Sequence, residues 1–184
     1  MAYVSGGNEL LDAWKLLRRL GVKTGSKVAD LGCGGAGHFI IPAAQLAGAD
    51  TTVYAVDILK SALNTVTTKA SAEGIYNIKP IWSNIEILGA TNIKPGSLNF
   101  VLLVNNFFQS KEYSNQIKEA IRLLRKGGRI LIADWNKTPT AFGPAVVDRV
   151  NEDDVEKTAE KLGLKSVDRF QAGTYHYGFI FEKL

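Results

Sequence analysis

A doubly wound α/β domain with a mostly parallel sheet is the fold this sequence predicts, and three observations carry it. Val28-Ala29-Asp30-Leu31 is a short apolar run that stops at Gly32-Cys33-Gly34-Gly35-Ala36-Gly37 and reopens as a helical pattern. A second, β-branched run, Thr51 to Val56, follows that helix and ends in an acid, Asp57, so strands alternate with helices as they do in βαβ units. Leu98 to Val104 is a near-continuous apolar stretch, the pattern of a strand buried on both faces.

Taken in order, the chain opens with Leu10, Leu11, Trp14, Leu17 and Leu20 at helical spacing, which predicts an amphipathic helix from about Asn8 to Leu20, stopped by Gly21. Tyr3 and Gly6-Gly7 ahead of it are candidates for a substrate lid, with packing beside the sheet the simpler role. Strand one runs from Lys27 to Leu31, and the helix after the glycine turn extends to about Ala47, with Pro42 in its early part, where it costs one hydrogen bond unless it sits within about the first turn. Strand two is followed by a helix from about Leu59 to Glu73 with Gly74 as its stop, then by a third strand, Ile78 to Ser83. Thr91 to Ser97 is a loop. After the fourth strand, Lys111 to Arg125 carries Ile117, Ala120, Ile121 and Leu124 on one face, and Gly127-Gly128 is expected to end it. The long segment from Asn136 to about Val150, with Pro139, Gly143 and Pro144, is a candidate lid or substrate loop. Asn151 caps a last helix stopped by Gly163. Leu164 to Phe170 and Tyr175 to Phe181 read as two closing strands turned at Ala172-Gly173.

Length and composition narrow the class. The chain of 184 residues, 46% hydrophobic and 22% charged, suits one globular domain, residues 1–184, divided as an N-terminal helix and cap (1–24) and a core (25–184). No apolar run approaches the roughly 18–20 residues that span a bilayer, and no secretory leader pattern opens the sequence, so a cytoplasmic location without membrane contact is the expectation. One cysteine makes neither an internal disulfide nor a cysteine metal cluster, and no metal site is expected. A net charge of +4 and a pI near 9.1 are mildly basic, but Lys and Arg are dispersed. They read as a solvated surface rather than a nucleic-acid footprint.

The glycine turn carries the first functional signal. Gly32, Gly34 and Gly37 have the G-x-G-x-x-G spacing, which allows a tight turn and a close backbone approach to a ligand. Nicotinamide, flavin and S-adenosylmethionine sites all use such a turn. Asp30, at the carboxyl end of the strand, discriminates between them. A fixed carboxylate there would repel a dinucleotide's pyrophosphate, whereas the ammonium and sulfonium of S-adenosylmethionine are attracted to it. Asp57 lies 20 residues beyond Gly37 at the end of the adjacent strand, where a carboxylate accepts hydrogen bonds from ribose hydroxyls or, more simply, caps the next helix.

Val28-Ala29-Asp30-Leu31-Gly32-Cys33-Gly34-Gly35-Ala36-Gly37 resembles motif I of the class I S-adenosylmethionine-dependent methyltransferases. Tyr54-Ala55-Val56-Asp57-Ile58 is similar to the family's second strand, and Leu123 to Trp135 resembles its helix, turn and fifth strand. The resemblance covers about Lys27 to Leu184, and the segments look most like small bacterial type 11 methyltransferase-domain proteins. It implies a Rossmann-like seven-stranded sheet in the order 3-2-1-4-5-7-6 with strand seven antiparallel. It also implies S-adenosyl-L-methionine as cofactor and S-adenosyl-L-homocysteine as product. On that pattern Asp30, Gly32, Cys33, Gly34 and Gly37 form the methionine-side turn, Asp57 takes the ribose with Ile58 beside it, and Ile85 packs on the adenine. Asn84 stands where the family usually has an acid on the adenine amine; its carbonyl still accepts a hydrogen bond, without the charge. Asn105 and Asn106 border the transferable methyl at the switch between strands one and four, with Phe108 and Trp135 on the substrate side.

Catalysis is less legible, because in-line displacement at a sulfonium needs alignment and dryness more than chemistry from the protein. His38 and His176 are the candidate bases, with packing at the helix start the simpler reading for His38 and a structural hydrogen bond the equal alternative for His176, and Cys33 reads as a small residue in a crowded turn. Amino-group methylation of bases loses support because Asn105-Asn106-Phe107-Phe108 lacks the two prolines that such enzymes resemble one another in having. One cysteine argues against arsenite chemistry, and Asp134 alone against a magnesium-dependent catechol site. The expectation is methyl transfer to an O, N or C nucleophile of a small molecule. A nicotinamide oxidoreductase, or a binding protein that keeps the cofactor fold without turnover, are the alternatives.

Overall fold

The structure, a computed structural model, describes residues 10–184. The expected helix start at Asn8 and the lid candidates Tyr3 and Gly6-Gly7 lie outside the described residues. Seven strands, β1 (Val28–Leu31), β2 (Val53–Asp57), β3 (Ile78–Trp82), β4 (Leu98–Val104), β5 (Leu124–Trp135), β6 (Leu164–Gly173) and β7 (His176–Lys183), alternate with five helices. These are α1 (Ala13–Leu20), α2 (Ile40–Ala47), α3 (Lys60–Ala72), α4 (Tyr113–Leu123) and α5 (Glu152–Lys161). They build one sheet in the order β3-β2-β1-β4-β5-β7-β6. β1 to β5 pair in parallel, and β7 runs antiparallel to both of its neighbours, as the resemblance implied.

Strand alternation sends side chains into two cores. Val28 joins the core under α1, α2 and α3, which also holds Leu17, Ile40, Ala44 and Val66. Ala29 and Leu31 join the opposite core under α4 and α5, with Ile117, Ala120, Val155 and Phe179. All four residues of β1 are buried, which is why this strand reads as an unbroken apolar run around one acid. Asp30 shares the parity of Val28. It is the charge that the first core has to accommodate.

Local signals account for the helix ends. Asp12 caps α1 by accepting the Lys15 N–H at 2.9 Å, and Gly21 ends it in the left-handed region at φ 103°. Trp14 departs from the expected face: it is 38% exposed and lies under the Arg18 guanidinium, 5.4 Å from its ring centroid. Leu16 occupies the core in its place. Pro42 is the third residue of α2, inside the first turn, so its absent N–H interrupts no helical bond.

Three glycines expected in turns have other roles. Gly127-Gly128 does not end α4. The helix stops at Leu123 and its last carbonyls are taken by the loop, Gly96 N–H to Arg122 O at 2.9 Å and Ser97 N–H to Leu123 O at 3.0 Å. Leu124 already pairs with Leu98, and the register jumps to Phe100 with Arg129. The glycines therefore sit in a bulge of β5, where a Cβ on Gly128 would come within 2.9 Å of the Arg125 carbonyl. Gly173 is likewise no turn residue. It pairs with His176, leaving Thr174-Tyr175 as the two-residue connection, and a Cβ on it would strike the Leu10 carbonyl at 2.8 Å.

At the outer edge of the sheet, Val53 N–H bonds the Asn77 carbonyl and Ser83 N–H bonds the Asp57 carbonyl. The odd-numbered residues of β3 thus face β2, and Pro80, paired in register with Ala55, faces outward.

The segment between β5 and α5 is a folded strap rather than a loose lid. Arg149, only 2% exposed, gathers it from within. Its guanidinium donates to the carbonyls of Pro144 (3.0 and 2.9 Å), Asn136 (3.0 Å) and Thr138 (2.6 Å). Lys137 Nζ donates to the Val146 carbonyl at 3.1 Å and to that of Arg149.

Candidate cofactor site

The turn after β1 is fastened on both sides. Gly32 and Cys33 donate their N–H groups to the Val56 carbonyl at 2.8 and 3.1 Å, which draws the turn toward β2. Asp57 completes the fastening: Oδ2 accepts the Gly34 N–H and Oδ1 the Leu59 N–H, each at 2.9 Å. One carboxylate therefore joins the glycine turn to the start of α3. On the other side, Asn106 Nδ2 donates to the Leu31 carbonyl at 2.7 Å.

Gly32 is required twice over. Its φ of 77° belongs to the left-handed region, and a Cβ there would lie 2.7 Å from Asn106 Cγ. Gly34, at φ 62°, has no atom within 4 Å of where its Cβ would be. It presents bare backbone to an open space. That space is a cavity of about 630 Å³ bordered by the glycine turn, Asp57 to Leu59, Ser83 to Glu86, Asn105, Asn106, Phe108 and Gln116, a size in the range of small-molecule sites. The cavity lies beyond the carboxyl ends of β1, β2 and β4, where open α/β sheets place their ligands.

Eleven of the sequence-predicted residues border this cavity: Gly32, Cys33, Gly34, His38, Asp57, Ile58, Asn84, Ile85, Asn105, Asn106 and Phe108. Asn105 adopts φ 55°, a conformation asparagine tolerates better than most residues, and its N–H bonds the Ala133 carbonyl at 2.9 Å. Asn84 Oδ1 accepts the Glu86 N–H at 2.9 Å, so the residue in the usual acid's place is held in a local turn. His38 bonds the Leu11 carbonyl through Nε2 at 2.7 Å. A carbonyl only accepts, so Nε2 carries the proton and Nδ1 is the basic nitrogen.

Four predicted residues do not border the cavity. Gly37 packs behind it, where a Cβ would meet Val66 and Ile41 at 2.7 and 2.8 Å. Asp30 is 3% exposed beneath the turn; burial first, and then the neighbouring Asp57 carboxylate, raises its pKa to about 7. Trp135 and His176 pack against each other under the strap, ring centroids 4.4 Å apart and planes tilted by 41°. Burial, followed by the Arg149 cation, lowers the His176 pKa to about 4, which leaves a neutral ring in the core. Trp135, expected on the substrate side, and His176, a candidate base, therefore lie away from this cavity and against each other. The Cys33 thiol is pushed up by burial and by the two acids, which suits a small residue in a crowded turn and not a nucleophile. Asp134 spends both oxygens on backbone, accepting from Phe107 N–H and Trp135 N–H at 2.8 Å each.

Sequence reasoning missed Gln116 and Glu86. Gln116 is a polar residue in the apolar stripe of α4, one before Ile117 and four before Ala120, and that interruption was the available signal. Glu86 gives no such sign: it follows β3 in a loop.

A cavity beyond the carboxyl ends of β1, β2 and β4, an open-faced glycine turn and a carboxylate at the second strand's end have the features of a nucleoside-cofactor site on a seven-stranded α/β sheet. A family model described as a methyltransferase domain matches residues 22–173, and the chain belongs to that family. S-Adenosylmethionine is the cofactor the family indicates, and the residues present fit it. The nicotinamide alternative is accordingly set aside.

Among curated proteins the chain is 29% identical over 128 residues to a demethylmenaquinone methyltransferase of Geobacillus stearothermophilus, covering 70% of this chain and 53% of that protein. It is 25% identical over 147 residues to a ubiquinone/menaquinone biosynthesis C-methyltransferase of a Marinomonas species, covering 79% and 57%. The chain thus spans about half the length of the curated relatives it matches. A putative type 11 methyltransferase structure from Sulfolobus solfataricus is 27% identical with a TM-score of 0.69, over 85% of this chain and 83% of that one. A SAM-dependent methyltransferase structure from Aquifex aeolicus shares the fold at a TM-score of 0.86 and 24% identity, over 97% and 93%.

Proposed function

We propose that the chain methylates a small molecule by in-line displacement, moving the methyl of S-adenosylmethionine to an O, N or C nucleophile and releasing S-adenosylhomocysteine. The observation that carries this reading is the Asp57 carboxylate, which holds the Gly34 N–H while bordering the same cavity. It places one charged acceptor and a bare stretch of backbone side by side. Asp57 has lone pairs beyond the two it gives to backbone donors, and these accept the ribose hydroxyls. Ile58 and Ile85 flank the nucleoside, and the bare face of Gly34 lies against the amino-acid part.

The cofactor supplies the activated methyl and its own leaving group. The protein's contribution is to hold the acceptor in line and to keep water out. Asn105, Asn106 and Phe108, at the end of β4, border the methyl on this reading. His38 is the one histidine of the two at the cavity, and its Nδ1 is the place for a proton released by an O–H or N–H acceptor. A ring carbon or oxygen of a quinone-like molecule is the favoured acceptor class. The support is the curated relatives' own names, which include C-methyltransferases and a ubiquinone biosynthesis O-methyltransferase.

The test combines binding and turnover. Calorimetry with S-adenosylhomocysteine should give micromolar affinity, about −8 kcal/mol, with no detectable NAD binding. Incubation with labelled S-adenosylmethionine and a panel of dihydroxybenzenes and naphthoquinols should then transfer label. Binding of S-adenosylhomocysteine without transfer to any member would leave the fold as a cofactor-binding protein and defeat the small-aromatic reading.

A further inference from the structure

We propose that Gln116 reads the exocyclic amine of the cofactor's adenine through its side-chain carbonyl, with Glu86 fixing the amide in that sense. The proposal rests on the assignment of the cavity to the cofactor made above. Gln116 is 3% exposed, projects from the buried face of α4 and borders the cavity beside the Ser83 to Glu86 stretch. Its Nε2 donates to Glu86 Oε1 at 3.4 Å. A carboxylate accepts and cannot donate when ionised, so the reversed amide would set two acceptors against each other. Oε1 is therefore the atom left over, and it is buried with no hydrogen-bond partner among the described residues. An unpaired buried carbonyl is costly. A ligand that brings a donor removes that cost.

The cofactor offers three kinds of donor: the adenine amine, the ribose hydroxyls and the α-ammonium. Asp57, at the end of β2, takes the hydroxyls, and the amino-acid part lies over the glycine turn. The Ser83 to Glu86 stretch follows β3, on the far side of β2 from that turn, and this is the adenine's end. Asn84 Oδ1, in the usual acid's position, already accepts the Glu86 N–H at 2.9 Å and is held in that local turn, so it lacks the cost of an unpaired acceptor. The Ser83 hydroxyl is shared with Thr91 Oγ1 at 3.3 Å. Gln116 borders the cavity at the adenine end and its Oε1 has its acceptor capacity unspent, so a small rotation of the side chain brings it to the amine and specificity for a 6-amino purine falls to a residue on a helix rather than to the loop after the third strand.

Binding of S-adenosylhomocysteine and of its analogue with hydrogen in place of the 6-amino group tests this by calorimetry. The wild-type protein should prefer the amine-bearing ligand by about tenfold, the effect of one hydrogen bond to an otherwise unpaired group. In Gln116→Leu the two ligands should bind within about twofold of each other, through loss of affinity for S-adenosylhomocysteine alone. Asn84→Ala should retain the preference. A preference that survives intact in Gln116→Leu, or that is lost in Asn84→Ala, overturns the proposal. Should Gln116→Leu not fold, Glu86→Ala frees the amide to rotate, and the preference should fall to about threefold; an unchanged preference there also overturns it. Asp57→Ala separates this from the cavity assignment, since it should weaken both ligands alike. Unaltered affinities in Asp57→Ala would refute the cavity assignment itself.

Discussion

Asp57 and Gly34 are joined by a 2.9 Å hydrogen bond from the glycine's backbone to the carboxylate, so the acceptor proposed for the ribose and the turn proposed to face the cofactor are set by one contact. Removing the carboxylate should act on both. Asp57→Ala is expected to weaken S-adenosylhomocysteine binding by roughly 2–4 kcal/mol, from the lost hydrogen bonds between hydroxyls and a charged acceptor. It should also lower the melting temperature, because the N–H groups of Gly34 and Leu59 lose their acceptor. Titration calorimetry and a thermal melt on the same preparation check the pair of effects.

Asp30 gives the site a pH dependence with a definite sign. Its pKa in the free protein is about 7, and a bound sulfonium favours the ionised form. Affinity for S-adenosylmethionine should therefore rise with pH through neutrality, by about tenfold between pH 6 and pH 8. S-Adenosylhomocysteine, without the sulfonium, should show a shallower rise, and Asp30→Asn should flatten both. Stability runs the other way. A carboxyl whose pKa is higher folded than unfolded contributes fully below the unfolded value, and that contribution is lost as pH climbs toward the folded one. Asp134, at about 6, acts in the same direction. The melting temperature should fall between pH 4 and pH 7, less steeply in Asp30→Asn.

The contact between Gly32 and Asn106 predicts a partial rescue. Gly32→Ala introduces a Cβ into the Asn106 carboxamide as well as a left-handed alanine, and together these should cost about 3 kcal/mol. Truncating the partner in Gly32→Ala/Asn106→Ala should return about 1 kcal/mol by relieving the overlap, while the backbone strain persists. Denaturant melts of the two single variants and the double variant measure the coupling. Simple additivity would mean that the carboxamide moves aside without cost.

Arg149 organises the strap, so Arg149→Met should expose it. Three backbone carbonyls lose their donors, and limited proteolysis should cut between Asn136 and Val150 in the variant before it cuts the wild type. The His176 pKa should rise from about 4 when the cation is gone, yet stay below the ordinary value because burial, the larger cause, persists. A histidine titration followed by NMR reads this directly.

Which parts of this molecule were legible in sequence follows from how local their causes are. The strands followed from periodicity, their order from the resemblance around Asp30, Asp57 and Leu123 to Trp135, and the turn at the cavity's border from the glycine spacing. Gly128 and Gly173 were misread because a glycine needed for close backbone approach looks in sequence like a glycine needed for a turn. Trp135 and His176 occupy the expected strand ends, but their rings point under the strap. Only the carbonyls gathered by Arg149, from residues 5 to 13 positions away, explain that. Gln116 was invisible for the opposite reason: its significance lies in an unpaired oxygen, which is a property of its surroundings and not of its neighbours in the chain.

Pro80 has a bearing on the company this protein can keep. The outward row of β3 is Ile78, Pro80 and Trp82, and its central member has no N–H to offer. A strand arriving at that border, whether from another copy or from an unfolded neighbour, finds the middle rung of the ladder missing. The sheet is thereby guarded against extension at its β3 edge. Pro80→Val would reopen it, and the first sign should be concentration-dependent self-association rather than any change in cofactor affinity.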